Sequence, residues 1–395
     1  MDLVDYQVVW RGPVYDATGY GAASREYVFA LDRQGIDVKI ETYKWGPPFT
    51  EMDGHMKEKL DHLFEKPDAT DKRKILIYHS PPWKINPRRE RKRFDHLILN
   101  TVWEAAKIPN SWLSTIDQFD ATCVPSHHNL EIMNNSGVHT PVFLVPHGTD
   151  TNKFQPENRK LAIKEAEGKF TFVSVFDFNH RKNPETLLRA YWEEFTSEDR
   201  VALVIKTAKK YWDGNKRQSV EHKISEYKKK LGFGDETAPL IVLAGVLEDN
   251  DLTGVYTLGN AFVLPTRGEG VGMPFMEALA SGIPVIATRW GGQMDFLNEK
   301  NSFLIDYKLK YPGISMNSEQ AIALIYREWF EEEGQLWAEP DIRDLKKTMR
   351  YAYENPNLCQ EKGRIGRENM LPLSWDEAGM ALIQTIEKVM GTGKS

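Results

Sequence analysis

Thr266-Arg-Gly-Glu-Gly-Val-Gly-Met-Pro-Phe-Met-Glu-Ala-Leu-Ala-Ser-Gly-Ile-Pro284 sits between two short apolar runs, Ala261–Pro265 before it and Pro284–Thr288 after it. Runs this short, bounded by turn residues, read as strands buried on both faces. Between them, Pro274 suits the first position of a helix, because its missing N–H has no partner to lose there. Gly282 ends that helix. The unit is therefore strand, glycine-rich loop, helix, parallel strand. It carries two carboxylates with seven residues between them, Glu269 in the loop and Glu277 expected in the first helical turn. Gly268, Gly270 and Gly272 are expected to let a ligand approach the backbone. The helix start adds N–H groups and a positive dipole end suited to phosphate.

Working outward, a second unit of the same kind opens with the strand Phe170–Phe176, followed by Asp177-Phe-Asn-His-Arg-Lys-Asn-Pro184 and a helix over 185–195. Arg181 and Lys182, side by side before a helix N-terminus, are placed to meet a diphosphate. Lys206 ends the next strand. Leu240–Ala244 is another, leading into Gly245, Val246 and Leu247. Asp249-Asn-Asp251 has the spacing of a metal-binding D-x-D, but at a helix start it reads as a cap. Tyr211–Leu231 reads as a charged helix, and 321–333 and 341–353 as further helices. The last, 375–390, carries an apolar stripe.

The N-terminal half repeats the plan. A strand over 4–10 enters a glycine loop containing Gly19, Tyr20 and Gly21, then a helix over 23–34 and a strand over 35–40. The loop lacks the third glycine of a dinucleotide fingerprint, which weakens an NAD-dehydrogenase reading. Three more strands end at His79, at Trp103-Glu104 and at Ser126-His-His128, and polar residues past successive strand ends line one crevice of a parallel sheet. Neighbouring His127 and His128 face apart, so no metal site is read there. Arg88 to Arg93 is either a solvated helix face or a peripheral contact with an anionic membrane.

Composition sets bounds. The length of 395 residues favours two domains. The net charge of −6 argues against nucleic acid as the general partner. Two cysteines are too few for a disulfide framework or zinc cluster, and no signal peptide or apolar span stands out, so a cytoplasmic setting is expected. Eleven tryptophans agree with a carbohydrate ligand, whose faces suit flat amphipathic rings.

The Glu269–Glu277 stretch resembles the E-x7-E signature of retaining, nucleotide-sugar glycosyltransferases of the GT-B type (family 4, or group 1). The resemblance implies an α/β fold of two Rossmann-like, doubly wound parallel-sheet domains facing across a cleft. One spans 1–165 and takes back a crossing helix at 373–390; the other spans 166–372. It implies a nucleotide diphosphate sugar as donor, GDP-mannose or a UDP-sugar, and a glycan or lipid-linked acceptor, with no metal required. Glu269, Arg181 and Lys182 would act on the reacting sugar and leaving diphosphate. Glu277, Gly19, Tyr20, Gly21, Lys206, Val246, Leu247, Gly270, Val271, Gly272 and Met273 would hold the donor. His79, Glu104 and His147 would serve the acceptor or sugar side. The chain departs from the family at Phe176, where an arginine is usual, at Trp103-Glu104, where a histidine is usual, and at His147 and Asp295. A phosphorylase, an epimerase or an inactive scaffold on the same fold are the rival readings.

Overall fold

The computed structural model describes residues 5–43, 52–207, 210–213 and 216–391. They group into two units: Met1–Trp103 with Lys107–Gly148 and Leu373–Ser395, and Glu104–Ala106 with Thr149–Pro372.

The first unit is a parallel sheet of six strands: β1 (Tyr6–Arg11), β2 (Asp37–Glu41), β3 (Arg73–His79), β4 (His96–Asn100), β5 (Ala121–Val124) and β6 (Val142–Leu144), in the order β2-β1-β3-β4-β5-β6. Ile75–Ile77 and Leu97–Leu99 have no exposed surface, as expected of strands covered on both faces. The helix Gly19–Arg33 begins four residues before the expected 23. Thr18 caps it, accepting from the Gly21 N–H at 3.1 Å. The Trp375–Val389 helix packs on it so closely that a Cβ at Gly379 would lie 2.9 Å from the Ala30 Cβ. Arg33 and Asp376 add an ion pair of 2.6 Å.

The second unit holds β7 (Phe170–Val175), β8 (Val201–Thr207), a hairpin of β9 (Lys210–Asp213) and β10 (Lys216–Ser219), then β11 (Leu240–Ala244), β12 (Ala261–Leu264), β13 (Val285–Thr288) and β14 (Ser302–Ile305). Its six-stranded parallel sheet runs β11-β8-β7-β12-β13-β14. Two wings grow outward from β7 and β12, so these neighbours flank the switch point, where ligands bind beyond the strand ends. A second hairpin, β15 (Tyr307–Lys310) and β16 (Trp337–Pro340), follows β14.

Four expectations are corrected. The unit boundary lies after Gly148 rather than 165, because 149–165 packs into the second unit: the Leu161 N–H donates to the Gly254 carbonyl at 2.9 Å, and the Phe154 and Tyr256 rings meet edge to face at 5.5 Å. The helix expected over 211–231 is shortened to Val220–Lys230 by the β9–β10 hairpin. No helix spans 321–333, where only a 3-10 turn, Arg327–Trp329, forms. Asp249 is the first residue of the Asp249–Leu258 helix and not its cap, and it pairs with Lys153 at 2.8 Å.

Candidate active site

Of the residues flagged by the sequence, the β7 and β12 ends bring together Arg181, Lys182, Glu269 and Glu104. The turn after β7 is a 3-10 helix, His180–Lys182, ended by Asn183 in the left-handed region at φ 59°. Asn183 is among the non-glycine residues that tolerate this conformation, and its side chain secures it. Nδ2 donates to the Pro265 carbonyl at 3.0 Å, while Oδ1 accepts from the Thr186 N–H at 3.3 Å and caps the Pro184–Glu194 helix. The Arg267 N–H donates to the Arg181 carbonyl at 2.8 Å, so the two loops are joined backbone to backbone.

On this frame Glu269 is buried, 4% exposed, and faces two cations: Lys182 Nζ at 2.6 Å from Oε1 and Arg181 Nη1 at 3.3 Å from Oε2. Burial alone would raise its pKa. The charges of Lys182 and then Arg181 outweigh that, and the group ends below the usual carboxylate range. Arg181 also meets Glu104 at 3.1 Å and donates to the Gly268 carbonyl. Glu104 is driven the other way: burial raises its pKa, Arg181 opposes this and Glu269 adds to it. One guanidinium thus joins a carboxylate held ionised to one that protonates more readily.

The loop is braced from behind. The Gly292 N–H donates to the Glu269 carbonyl at 2.8 Å, and Thr288 Oγ1 to the Thr266 carbonyl at 2.7 Å. A buried network holds the other side. His180 Nδ1 lies 2.8 Å from Glu185 Oε1, and Arg267 donates through Nε to Glu339 at 2.8 Å and through Nη1 to the His180 carbonyl. The sequence reading missed Glu185, Arg267 and Glu339. No spacing signal marks them, since Glu339 comes from a distant hairpin.

Glu277 lies just past the first turn of the Met273–Ala280 helix, since the helix starts at Met273 and places Pro274 second. It accepts from the Tyr256 hydroxyl at 2.5 Å. Burial raises its pKa, and the Tyr256 bond, Lys153 and Lys206 do not fully offset this. Lys206 is the penultimate residue of β8, at the strand end as expected; burial lowers its pKa against Asp177 and Glu277. Val246 is exposed and Leu247 half-buried just past β11.

Two of the glycines are required by the protein itself. A Cβ at Gly268 would meet the Glu104 carbonyl oxygen at 2.0 Å, and one at Gly272, at φ 87°, would meet the Phe275 ring at 2.5 Å. Val271 is buried and Met273 half-buried beside them.

Gly19, Tyr20, Gly21, His79 and His147 lie in the first unit. Gly19–Gly21 form the first turn of a helix rather than a loop, and Gly21 is required by Asp16, whose Oδ1 a Cβ would meet at 2.3 Å. His79 is the last residue of β3; burial brings its pKa down to about 4, against hydrogen bonding to Asn100. The His147 ring lies 5.4 Å from Trp375, and burial and then His79 lower its pKa to about 3. Arg91 and Arg93 of the basic run pair with Asp120 and Glu41 at 2.8 and 2.6 Å.

Residues 155–311 match the family described as glycosyl transferases group 1. Over this part of the chain the sequence is similar to that family. Among curated proteins, the chain is 24% identical over 176 residues to the alpha-monoglucosyldiacylglycerol synthase of Streptococcus pneumoniae, an alignment covering 42% of this chain and 37% of that one. It is 26% identical over 216 residues to a GDP-mannose-dependent alpha-(1-6)-phosphatidylinositol monomannoside mannosyltransferase of Mycobacterium tuberculosis, covering 51% and 53%. The chain spans 37%, 14% and 33% of the lengths of three such relatives. Among solved structures, sucrose-phosphate synthase from Thermosynechococcus elongatus superimposes with a TM-score of 0.68 at 16% identity, covering 98% of this chain and 100% of that one. HepE of Anabaena with UDP-glucose gives 0.67 at 11% identity, covering 97% and 99%. The fold is that of the GT-B transferases. The matched region includes Arg181, Lys182, Glu269 and Glu277, and ends at 311, just past β15.

Proposed function

We propose that this chain is a hexosyltransferase that moves a sugar, with retention and without a required metal, from a nucleotide diphosphate sugar to a glycan or lipid-linked glycan. The carrying observation is the convergence of Lys182 and Arg181 on buried Glu269 beside the β7–β12 switch point. In the proposed reaction the bond from the anomeric carbon to the diphosphate breaks as a bond to the acceptor oxygen forms on the same face. The acceptor proton passes to a phosphate oxygen. Charge builds on the diphosphate, and Lys182 and Arg181, fixed before substrate arrives, stabilise it without reorganisation. Glu269, ionised, accepts hydrogen bonds from sugar hydroxyls; Glu277 is assigned to the ribose.

GDP-mannose and UDP-sugars are both retained as donors, because a GDP-mannose-dependent relative and a UDP-glucose-bound neighbour support each. The lipids in the names of two relatives favour a lipid-linked acceptor, met at a membrane face where exposed Arg88, Arg89 and Lys92 meet anionic headgroups. No helix of the described residues is long and apolar enough to cross a membrane. Product analysis on purified protein tests the reading. Transfer with retained anomeric configuration, slowed about 100-fold by Glu269→Gln, is expected; release of sugar phosphate or of an epimerised donor instead would identify one of the same-fold rivals.

A further inference from the structure

Residues 306–340, which the family match leaves mostly uncovered, leave β14 and return as β16. On the way the chain closes over both site loops. Leu324 bridges Asn179 in parallel and accepts from the His180 N–H at 2.8 Å. The Ile322 N–H donates to Glu185 Oε1 at 3.0 Å, and the Ala338 N–H to the Arg267 carbonyl at 2.9 Å. These bonds hold 322–324 along the turn after β7, where a helix over 321–333 would have lost them.

Two residues past Leu324 comes Tyr326, and two past Asn179 comes Arg181. Tyr326 is 46% exposed, and its ring stacks on Trp329 with centroids 5.8 Å apart and planes at 15°. Tyr326 is the residue just before the 3-10 turn Arg327–Trp329, and the tight turn brings the Trp329 ring back beside it. The turn is fixed from below. Arg327 donates to Asn317 at 2.9 Å, to Glu331 at 2.6 Å and to the Met316 carbonyl at 3.1 Å; the Tyr311 hydroxyl donates to the Glu331 carbonyl at 2.7 Å. Burial raises the Tyr326 hydroxyl pKa, and the Asp177 charge adds to this while that of Arg181 opposes it. An exposed aromatic face, held by the Leu324–Asn179 bridge next to the turn that carries Arg181, offers what a pyranose requires: a flat surface for its C–H face, with charged groups of the site nearby for its hydroxyls.

We propose that the Tyr326–Trp329 stack is a sugar-binding platform at the mouth of the Arg181–Glu269 site, taking a pyranose ring of the donor or of the acceptor. This rests on the transferase reading above. The test compares wild type, Tyr326→Ala and Tyr326→Phe, with GDP-mannose and UDP-glucose as donors and octyl mannoside and octyl glucoside as acceptors. GDP and UDP binding is measured alongside. Tyr326→Ala should raise one KM about tenfold, Tyr326→Phe should restore it to within about threefold, and GDP and UDP should bind all three proteins alike. A rise for the nucleotide sugar assigns the platform to the donor hexose; a rise for the octyl glycoside assigns it to the acceptor. An active wild type whose KM values are unmoved by Tyr326→Ala, or equal weakening of GDP and UDP, overturns the platform alone. A wild type that turns over neither donor overturns the transferase reading and the platform together.

Discussion

Lys182 is the residue on which the site's electrostatics turn. Its removal leaves the Glu269 carboxylate, 6% exposed as a side chain, without its nearest cation at 2.6 Å. Lys182→Ala should therefore lower unfolding free energy by about 3 kcal/mol as well as slowing transfer; urea unfolding indistinguishable from wild type would mean the pair is not buried as described. Glu185 gives a pH-dependent counterpart. Burial would raise its pKa, yet the His180 hydrogen bond and charge, with Arg267, bring it to about 2. A depressed folded pKa stabilises above the unfolded value of about 4.3, and this contribution, about 3 kcal/mol at neutral pH, is lost as pH falls toward 2. Glu185→Gln should be less stable than wild type at pH 7, with the gap closing between about pH 5 and pH 2; a gap constant across that range would contradict the assignment. Arg181, Lys182, Glu269 and Glu277 were legible because each sits at a fixed distance from a strand end or helix start. Arg267 was not, because its partner Glu339 lies 72 residues away, and Glu185 was not, because its pairing with His180, though local, follows no motif spacing.

At the scale of elements, the parallel strands were readable from uninterrupted apolar runs, since burial on both faces leaves no room for alternation. The Pro356–Met370 helix was missed. Its packing face, Cys359, Gly363, Gly366 and Met370, is made of small residues and methionine, so it lacks the stripe that marked 375–390. Close approach is the reason for that composition. A Cβ on Gly363 would fall 2.0 Å from the Gly282 carbonyl oxygen, and one on Gly366 would lie 2.5 Å from Leu279 Cδ2. Gly363→Ala should therefore destabilise by about 2 kcal/mol despite alanine's better helix propensity, as overpacking does; a rise in melting temperature would show that the helices separate at no cost. The 321–333 stretch failed as a helix for the opposite reason. Its local pattern allows one, but the Leu324 carbonyl gains the His180 N–H and the Ile322 N–H gains the Glu185 carboxylate, partners that a helix would deny them. Tertiary bonds outrank local preference there.

For the molecule as a whole, a ligand that binds only the folded chain raises its apparent stability, by about 2.7 kcal/mol at one hundred times Kd. GDP or UDP should therefore raise the melting temperature, and the shift should shrink in Lys182→Ala because the diphosphate loses a cation. The two-unit layout followed from two repeats of strand, glycine turn and helix; the sugar and acceptor were not legible, because a side chain such as Tyr326, proposed to meet a pyranose, carries no motif. The transferase claim itself is tested most directly by nucleoside diphosphate release from GDP-mannose and UDP-glucose, measured on wild type and Glu269→Gln with an octyl glycoside acceptor. Release from at least one donor, accompanied by glycoside extension and reduced about 100-fold in the variant, is the predicted result. No release from either donor, or equal rates for the two proteins, would contradict it.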